Sequence, residues 1–338
     1  MHTPPVPGSG RATIMRRRKI KRIVLLASLA VIILLFLTAS ILLAVRIAQA
    51  ASKLPSDNND NEQTEQTTPP PVDTHHTSNS TSGYTAFMVD SAQMKQGPLV
   101  LVNKEHKYTF PSGVSQLVEI RSSRTKSADG NFAYSCDYEK LLHSEAMQAF
   151  NKMMDAFYIA TGNGDALVFD AYRTEEQQNG MNSSTKGGYS DHHTGYLVAI
   201  KFLIDGRMYD QNEALVANAY AWLNEHAHEY GFVTRYPDNK VAATGVSGYS
   251  NAFRYVGMAH SAYMYQNNLC LEEYAELLKS YDLNGAHLSV TDAAGVKYEI
   301  YRIEASTAAQ TSVQVPEGKQ YTISGDNNGG LIITVTLG

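Results

Sequence analysis

Helical and strand-like hydrophobic patterns alternate between residues 99 and 281. Apolar residues recur at three- and four-residue spacing over 138–162, 212–230 and 271–281, which predicts helices there. Short apolar runs rich in β-branched residues predict strands over 99–103, 167–169 and 196–202. This mixture of helices and strands agrees with an α+β domain.

The pattern changes after residue 281. Short β-branched or alternating runs follow one another, at 287–290, 297–301, 311–315, 320–323 and 331–337. Turn residues separate them, notably at 316–318 and 325–330. The segment 282–338 is therefore predicted to be a small antiparallel β-unit. It contains no catalytic constellation, which favours a packing or interaction module.

The amino-terminal segment has the pattern of a membrane anchor. Residues 1–22 carry seven lysines and arginines and no acidic residue, and residues 23–45 carry no charge. At about 1.5 Å per residue, such an apolar helix crosses a hydrocarbon core of about 30 Å. The segment Ala-Gln-Ala-Ala at 48–51 is a faint candidate for a signal-peptidase site, but the apolar run is long for a cleaved signal. The positive-inside rule predicts a cytoplasmic tail 1–22, a transmembrane helix 23–45 and an extracytoplasmic remainder.

Residues 46–83 have the composition of a linker. Pro, Ser, Thr, Asn, Asp, Gln and Glu dominate, with three consecutive prolines at 69–71. Such a segment buries too little apolar surface to offset its chain entropy. We expect a disordered spacer; an ordered coil packed on the domain is the alternative.

The charge and the cysteine content of the chain give little information about its binding partners and disulfide bonds. The net charge of −5 includes the basic tail, so the remainder is more acidic than the total. This argues against bulk electrostatic binding of nucleic acid or anionic wall polymers. Cys136 and Cys270 are the only thiols, and either a disulfide or two unpaired thiols fits an extracytoplasmic domain.

The candidate chemistry is concentrated around His192. Residues 190–195 read Ser-Asp-His-His-Thr-Gly and precede the apolar run 196–202. The accompanying motifs are Tyr-Arg-Thr at 172–174 with Gln178, Trp222, Gly-Phe-Val-Thr-Arg-Tyr-Pro at 231–237, Lys240, Thr-Gly at 244–245, Phe-Arg-Tyr-Val-Gly at 253–257 and Leu-Glu-Glu-Tyr at 271–274. In order and spacing this set resembles the VanY-like D-alanyl-D-alanine carboxypeptidases, which have the LAS-type zinc peptidase fold.

The resemblance implies a zinc site that this chain has largely lost. In the family, zinc is bound by the histidine at the position of His192, by an aspartate seven residues later and by a second histidine. Here Ala199 and Ala252 occupy the latter two positions, and Tyr249 occupies the position of the glutamate general base. An alanine methyl group cannot coordinate a metal, and a tyrosine hydroxyl with a pKa of about 10 is a poor base. We therefore predict no catalytic residues and no zinc cofactor.

The resemblance also predicts the fold and the peptide-binding residues. It implies an α+β core over 84–281, with a central antiparallel sheet and flanking helices, and a C-terminal extension like that of some Gram-positive VanY-like proteins. Arg173 would hold a terminal carboxylate, helped by Gln178 and Ser190. Arg is well suited to this role because its guanidinium binds carboxylates with two parallel hydrogen bonds.

Three functions are compatible with these residues. The first is a membrane-anchored pseudoenzyme that binds peptidoglycan stem peptides, or a cell-wall or membrane protein, without hydrolysis. The second is an active zinc D,D-carboxypeptidase with relocated ligands, for which Asp191, His193 and His260 are the stand-ins. If residues 191–193 form a strand, Asp191 and His193 face away from His192, which disfavours this second function. The third is a scaffold or regulator of an active wall enzyme.

Overall fold

The structure, a computed structural model, describes residues 83–111 and 116–338. The predicted tail 1–22, the predicted membrane helix 23–45 and the linker up to residue 82 lie outside this part. Within the described ranges, no helix has the length and apolar character that crossing a bilayer requires.

The described residues contain strands that we number in chain order. They are β1 (Tyr84–Asp90), β2 (Leu117–Glu119), β3 (Ser135–Cys136), β4 (Leu141–His143), β5 (Ala166–Asp170), β6 (Leu197–Ile204), β7 (Arg207–Tyr209), β8 (Phe232–Thr234), β9 (Ala252–Tyr255), β10 (Leu288–Thr291), β11 (Lys297–Glu304), β12 (Gln310–Pro316), β13 (Gln320–Gly325) and β14 (Gly330–Thr336).

The helices are numbered in the same way. They are α1 (Ile120–Ser123), α2 (Ser144–Thr161), α3 (Glu175–Asn179), α4 (Ala217–His226), α5 (Val241–Thr244), α6 (Met258–Gln266) and α7 (Leu271–Leu278). Single 3₁₀ turns cover Ser91–Lys95, Asp191–Thr194, Ala214–Val216, Ala227–Tyr230 and Asp238–Lys240.

The central sheet positions the candidate site. Its strand order is β3-β5-β6-β9-β8, with β7 paired to one end of β6. All of its pairs are antiparallel except β3 with β5, so the predicted antiparallel sheet has one parallel edge. Helix α2 buries Phe150, Met153 and Phe157 in the hydrophobic core that it shares with this sheet.

The C-terminal residues form the predicted β-unit, together with a strand from the start of the described chain. Strands β10, β11, β14 and β13 pair in that order, all antiparallel. Strand β1 pairs antiparallel with β12 along its whole length, from Tyr84 opposite Pro316 to Asp90 opposite Gln310. The segment 84–281 therefore begins with a strand that hydrogen-bonds to the segment 282–338.

Three predicted elements differ in the structure, one strand and two helices. The predicted helix 138–162 begins only at Ser144, because Leu141–His143 form β4. Residues 99–102 are buried but form no strand; the guanidinium of Arg254 donates instead to the carbonyls of Pro98 and Val100, at 2.9 and 3.2 Å. The predicted helix 212–230 is reduced to α4, with a 3₁₀ turn on either side. In residues 99–102, backbone carbonyls accept hydrogen bonds from a distant arginine side chain rather than from a neighbouring strand. The hydrophobic periodicity of the sequence cannot reveal such a long-range contact.

Both cysteines are buried, and each is an unpaired thiol. The disulfide alternative for Cys136 and Cys270 is therefore wrong. Burial raises the pKa of Cys136 to about 12 and that of Cys270 to about 11, so both thiols stay protonated at neutral pH.

Candidate functional site

A cleft of about 880 Å³ opens beside the ends of β5 and β9, a volume in the usual range for ligand sites. The predicted peptide-binding residues Arg173, Gln178 and Ser190 all line it, as do His192 and Tyr249. The remaining lining residues are Asn103, Lys104, Phe169, Asp170, 181–186, Tyr189, Tyr236 and 244–248.

The imidazole of His192 has a partner on each nitrogen. Its Nδ1 contacts the carbonyl oxygen of Ala171, and its Nε2 lies 2.9 Å from the hydroxyl oxygen of Tyr249. A carbonyl can only accept, so Nδ1 carries the proton and Nε2 accepts from the Tyr249 hydroxyl. Burial lowers the pKa of His192 to about 4, which keeps the ring neutral. The lone pair that a metal would need is therefore engaged by Tyr249.

The two alanines lie directly opposite each other. Ala199 on β6 pairs with Ala252 on β9, and on its other side with Asp170 on β5. Both alanines are completely buried, and neither side chain has a donor atom. Directly opposed residues of antiparallel strands place their Cβ atoms about 5 Å apart on one face. The positions that the resemblance assigns to two zinc ligands are thus brought together as an apolar pair.

The residues at this site do not fit a zinc ion. A catalytic zinc commonly takes three protein ligands and an open water position, whereas only His192 offers a nitrogen here. In residues 83–111 and 116–338, no group of three or more His, Cys, Asp or Glu side chains could hold a metal. Burial also raises the pKa of Tyr249, so its hydroxyl is a still weaker base than free tyrosine.

The three stand-in ligands are engaged elsewhere. Residues 191–194 form a 3₁₀ turn, so the strand argument for Asp191 and His193 does not apply. Asp191 is buried between two arginines. His193 donates from Nδ1 to the Arg173 carbonyl at 2.7 Å, and its Nε2 accepts from the Gly188 amide at 2.9 Å. His260 bridges the hydroxyls of Tyr274 and Thr334, at 2.8 and 2.9 Å.

Arg173 is paired within the protein. Its Nε donates to both carboxylate oxygens of Asp170, at 3.2 and 3.0 Å, and a terminal nitrogen also contacts Asp170. The other terminal nitrogen donates to the Gln178 side-chain oxygen at 2.7 Å, and the Gln178 amide in turn donates to the Thr185 carbonyl at 2.9 Å. A capping box at the start of α3 fixes the intervening turn.

Asp170 is the site residue that sequence reasoning missed. Burial alone would raise the pKa of its carboxyl group, but the Arg173 hydrogen bonds and nearby positive charge outweigh burial and lower it. The signal in the sequence was a carboxylate three residues before Arg173, at the end of a predicted strand. Its pairing opposite Ala199 is visible only in the structure.

The known proteins that are similar to this chain are D-alanyl-D-alanine carboxypeptidases and related enzymes. The family model described as D-alanyl-D-alanine carboxypeptidase, VanY, matches residues 139–258. A D-alanyl-D-alanine carboxypeptidase of Enterococcus faecium is 32% identical over 270 residues, which is 78% of this chain and 82% of the relative. The bifunctional D-Ala-D-Ala dipeptidase and carboxypeptidase VanXYC of Enterococcus gallinarum is 28% identical over 164 residues, covering 42% of this chain and 81% of that protein.

A solved structure supports the same fold. The vancomycin-resistance D,D-dipeptidase VanXYg, in complex with a D-Ala-D-Ala phosphinate analogue, superposes with a TM-score of 0.60 at 22% identity. The match covers 75% of this chain and 99% of that one. With the sequence relationship to the Enterococcus faecium enzyme over most of both chains, this mixed α/β fold identifies the chain as a member of the VanY family of D-alanyl-D-alanine carboxypeptidases.

Proposed function

We propose that this chain is a non-hydrolysing member of the VanY family that binds peptidoglycan stem peptides in its cleft. The observation that carries the proposal is the Tyr249–His192 hydrogen bond beside the Ala199–Ala252 pair. It engages the one nitrogen ligand and leaves the other two ligand positions apolar, while a cleft of about 880 Å³ persists. Zinc would normally polarise the scissile carbonyl and activate water.

Binding is supported by the polar lining of the cleft. Arg173, Gln178 and Ser190 line one part, and the hydroxyl- and amide-rich segment 181–186 lines another. Such groups suit a peptide backbone, whose amides need both donors and acceptors. The relative VanXYg is described in complex with a D-Ala-D-Ala analogue. We extend that ligand class to this cleft.

The test pairs a metal measurement with a hydrolysis assay on the purified full-length chain. After dialysis against trace zinc, we expect far less than one zinc per chain. We also expect no release of D-Ala from a pentapeptide ending in D-Ala-D-Ala, but retention of the chain on purified peptidoglycan. An active family member treated in parallel is the control for both assays.

The remaining functions predict different results. About one zinc per chain, with D-Ala release that a chelator abolishes, would overturn the proposal and establish relocated ligands. An absence of both zinc and peptidoglycan binding would also overturn it. Co-purification of an active wall enzyme would then favour the third function, a scaffold or regulator of such an enzyme.

We further propose that the protein is a single-pass membrane protein with its folded part outside the cell. The proposal rests on the basic segment 1–22 followed by the uncharged segment 23–45. Protease added to intact protoplasts should digest the folded part. Protection until the membrane is permeabilised would show the opposite orientation.

A further inference from the structure

We propose that the cleft selects a carboxamide, either an amidated peptide end or an internal peptide bond, over a free terminal carboxylate. The inference rests on the proposed peptide-binding function and names the group that the site accepts. The selecting element is the Asp170–Arg173 ion pair. Its two side chains are only 12% and 13% exposed.

The first step is that the Arg173 guanidinium is already paired with a carboxylate of the protein, that of Asp170. Asp170 accepts from the Arg173 Nε on Oδ1, at 3.2 Å, and from a terminal nitrogen on Oδ2, which is the two-point geometry that a ligand carboxylate would otherwise take. Gln178 engages the third nitrogen through its side-chain oxygen. Each terminal nitrogen has one N–H left for other partners, and the Tyr249 hydroxyl also interacts with the guanidinium.

The second step is that Asp170 itself is held in place. The backbone amide of Ala171 donates to its Oδ1 at 3.0 Å, and Lys140 lies 4.0 Å from the same oxygen. The aspartate is the last residue of β5 and pairs with Ala199 of β6. These contacts hold the Asp170 carboxylate beside Arg173. A ligand carboxylate would then be placed beside a fixed carboxylate of the same charge.

The third step concerns what the pair can bind. Arg173 presents N–H donors next to the carboxylate acceptor of Asp170. A carboxamide matches this arrangement, because its carbonyl oxygen accepts from the arginine and its N–H donates to the aspartate. A carboxylate offers only acceptors. The like charge at close range in a partly buried cleft therefore disfavours it.

Three lysines lie near the pair. Lys140 is 4.0 Å from the Oδ1 of Asp170 but does not line the cleft, so its charge acts on the aspartate and is not presented to a ligand. The two lysines of the cleft do not reverse the preference. Lys104 and Lys186 line the cleft, but both are exposed, and Lys104 lies 3.8 Å from Glu105. Exposed charges in water are screened and contribute little to selectivity. The Asp170–Arg173 pair is much less exposed than these lysines and is therefore the stronger determinant.

The test uses two synthetic stem peptides that differ only in the final group, D-Ala-D-Ala carboxylate and D-Ala-D-Ala carboxamide. Binding of each to the full-length chain in detergent is measured by calorimetry. We expect the carboxamide to bind at least about tenfold more tightly. In Asp170→Asn the charge is removed at nearly constant shape, so the preference should disappear or reverse. Glu175→Gln is the matched control, since it removes a carboxylate near the cleft without touching Arg173, and its ratio should equal that of the unchanged protein.

Each result decides between the ideas. A preference of the unchanged protein for the carboxylate, lost in Arg173→Gln, would overturn the inference and leave the proposed function standing. An unaltered ratio in a folded Asp170→Asn would overturn it as well. If that variant does not fold, the affinities of the unchanged protein for the two peptides still test the inference. Absence of binding by either peptide would overturn the proposed function and this inference with it.

Discussion

At the residue scale, a hydroxyl group contacts the His192 nitrogen that a metal would need. The Tyr249 hydroxyl donates to the Nε2 of His192, while the Ala171 carbonyl fixes the tautomer from the other side. A buried imidazole nitrogen without a partner would be costly, and the phenol removes that cost. The His192 ring therefore has a hydrogen-bond partner on each nitrogen.

The first prediction is that Tyr249→Phe destabilises the protein. The ring is retained, but the Nε2 of His192 loses its donor inside the protein. We expect the free energy of unfolding to fall by about 1–3 kcal/mol, measured by urea denaturation. Tyr189→Phe is the control, because Tyr189 lines the same cleft but does not contact His192, and it should change stability by less than about 0.5 kcal/mol. Equal stability of both variants would argue against this role of Tyr249.

The second prediction concerns repair of the metal site. The triple change Ala199→Asp, Ala252→His and Tyr249→Glu adds two ligands and a base beside His192. Because both alanines are completely buried, the larger side chains should cost about 1–3 kcal/mol of stability without metal. We expect about one zinc per chain, a rise in Tm on adding zinc and partial D-Ala release.

The control for repair is the double change Ala199→Asp and Tyr249→Glu, which lacks the second histidine. It should bind zinc much more weakly than the triple variant. If the triple variant binds no zinc, the backbone around β6 and β9 has diverged beyond the reach of these side chains. If it binds zinc without turnover, Asp170 and Arg173 are the next positions to examine.

At the element scale, two buried arginines join separate segments of the chain. Arg235, just after β8, donates to Asp191 at 2.7 Å and to Glu272 of α7 at 2.8 and 2.9 Å. Arg254 of β9 contacts the other oxygen of Asp191 and the carbonyls of Pro98 and Val100. The network holds the 3₁₀ turn that carries His192 against the central sheet.

The third prediction follows from the two charges that Asp191 balances. Asp191→Asn keeps the shape but leaves two fully buried guanidinium groups without their shared anion. We expect a loss of about 3–5 kcal/mol in the free energy of unfolding. Glu272→Gln is the comparison, because Glu272 pairs with Arg235 alone and is partly exposed. A smaller loss in Asp191→Asn than in Glu272→Gln would contradict the central role of Asp191.

At the scale of the whole described domain, buried neutral histidines make stability depend on pH. Burial lowers the pKa of His192 to about 4 and that of His260 to about 3, and it also lowers the pKa of His143, His193 and His228. An unfolded histidine titrates near 6.5. As pH falls below that value, these histidines become protonated in the unfolded chain but stay neutral in the folded chain. Protonation therefore favours the unfolded state.

The fourth prediction is therefore a loss of stability between about pH 6.5 and pH 4. At about 1.4 kcal/mol per pKa unit, His192 alone contributes at most about 3 kcal/mol over this range. Urea denaturation at pH 7.5, 6 and 4.5 measures the slope. His260→Gln should flatten it, since one buried titrating group is removed. A free energy of unfolding that is constant from pH 7.5 to 4.5 would contradict the prediction.

The sequence was informative where a single residue type decides the chemistry. The helical period that became α2, the alternating runs of the C-terminal unit and the alanines at 199 and 252 were all readable, because periodicity and donor atoms are local properties. The turn at 191–194 and the run 99–102 were misjudged. Their conformations depend on Asp191, Arg235 and Arg254, which meet only after folding.

What the sequence by itself determined is the family, the order of most elements and the absence of donor atoms at two positions. Three features were decided only by the tertiary structure. The Tyr249 hydroxyl is hydrogen-bonded to the Nε2 of His192, Asp170 forms an ion pair with Arg173, and β1 pairs with β12, which is far along the chain. Hydrogen bonds and ion pairs join groups that are close in space, and a linear pattern carries no information on which distant groups will meet.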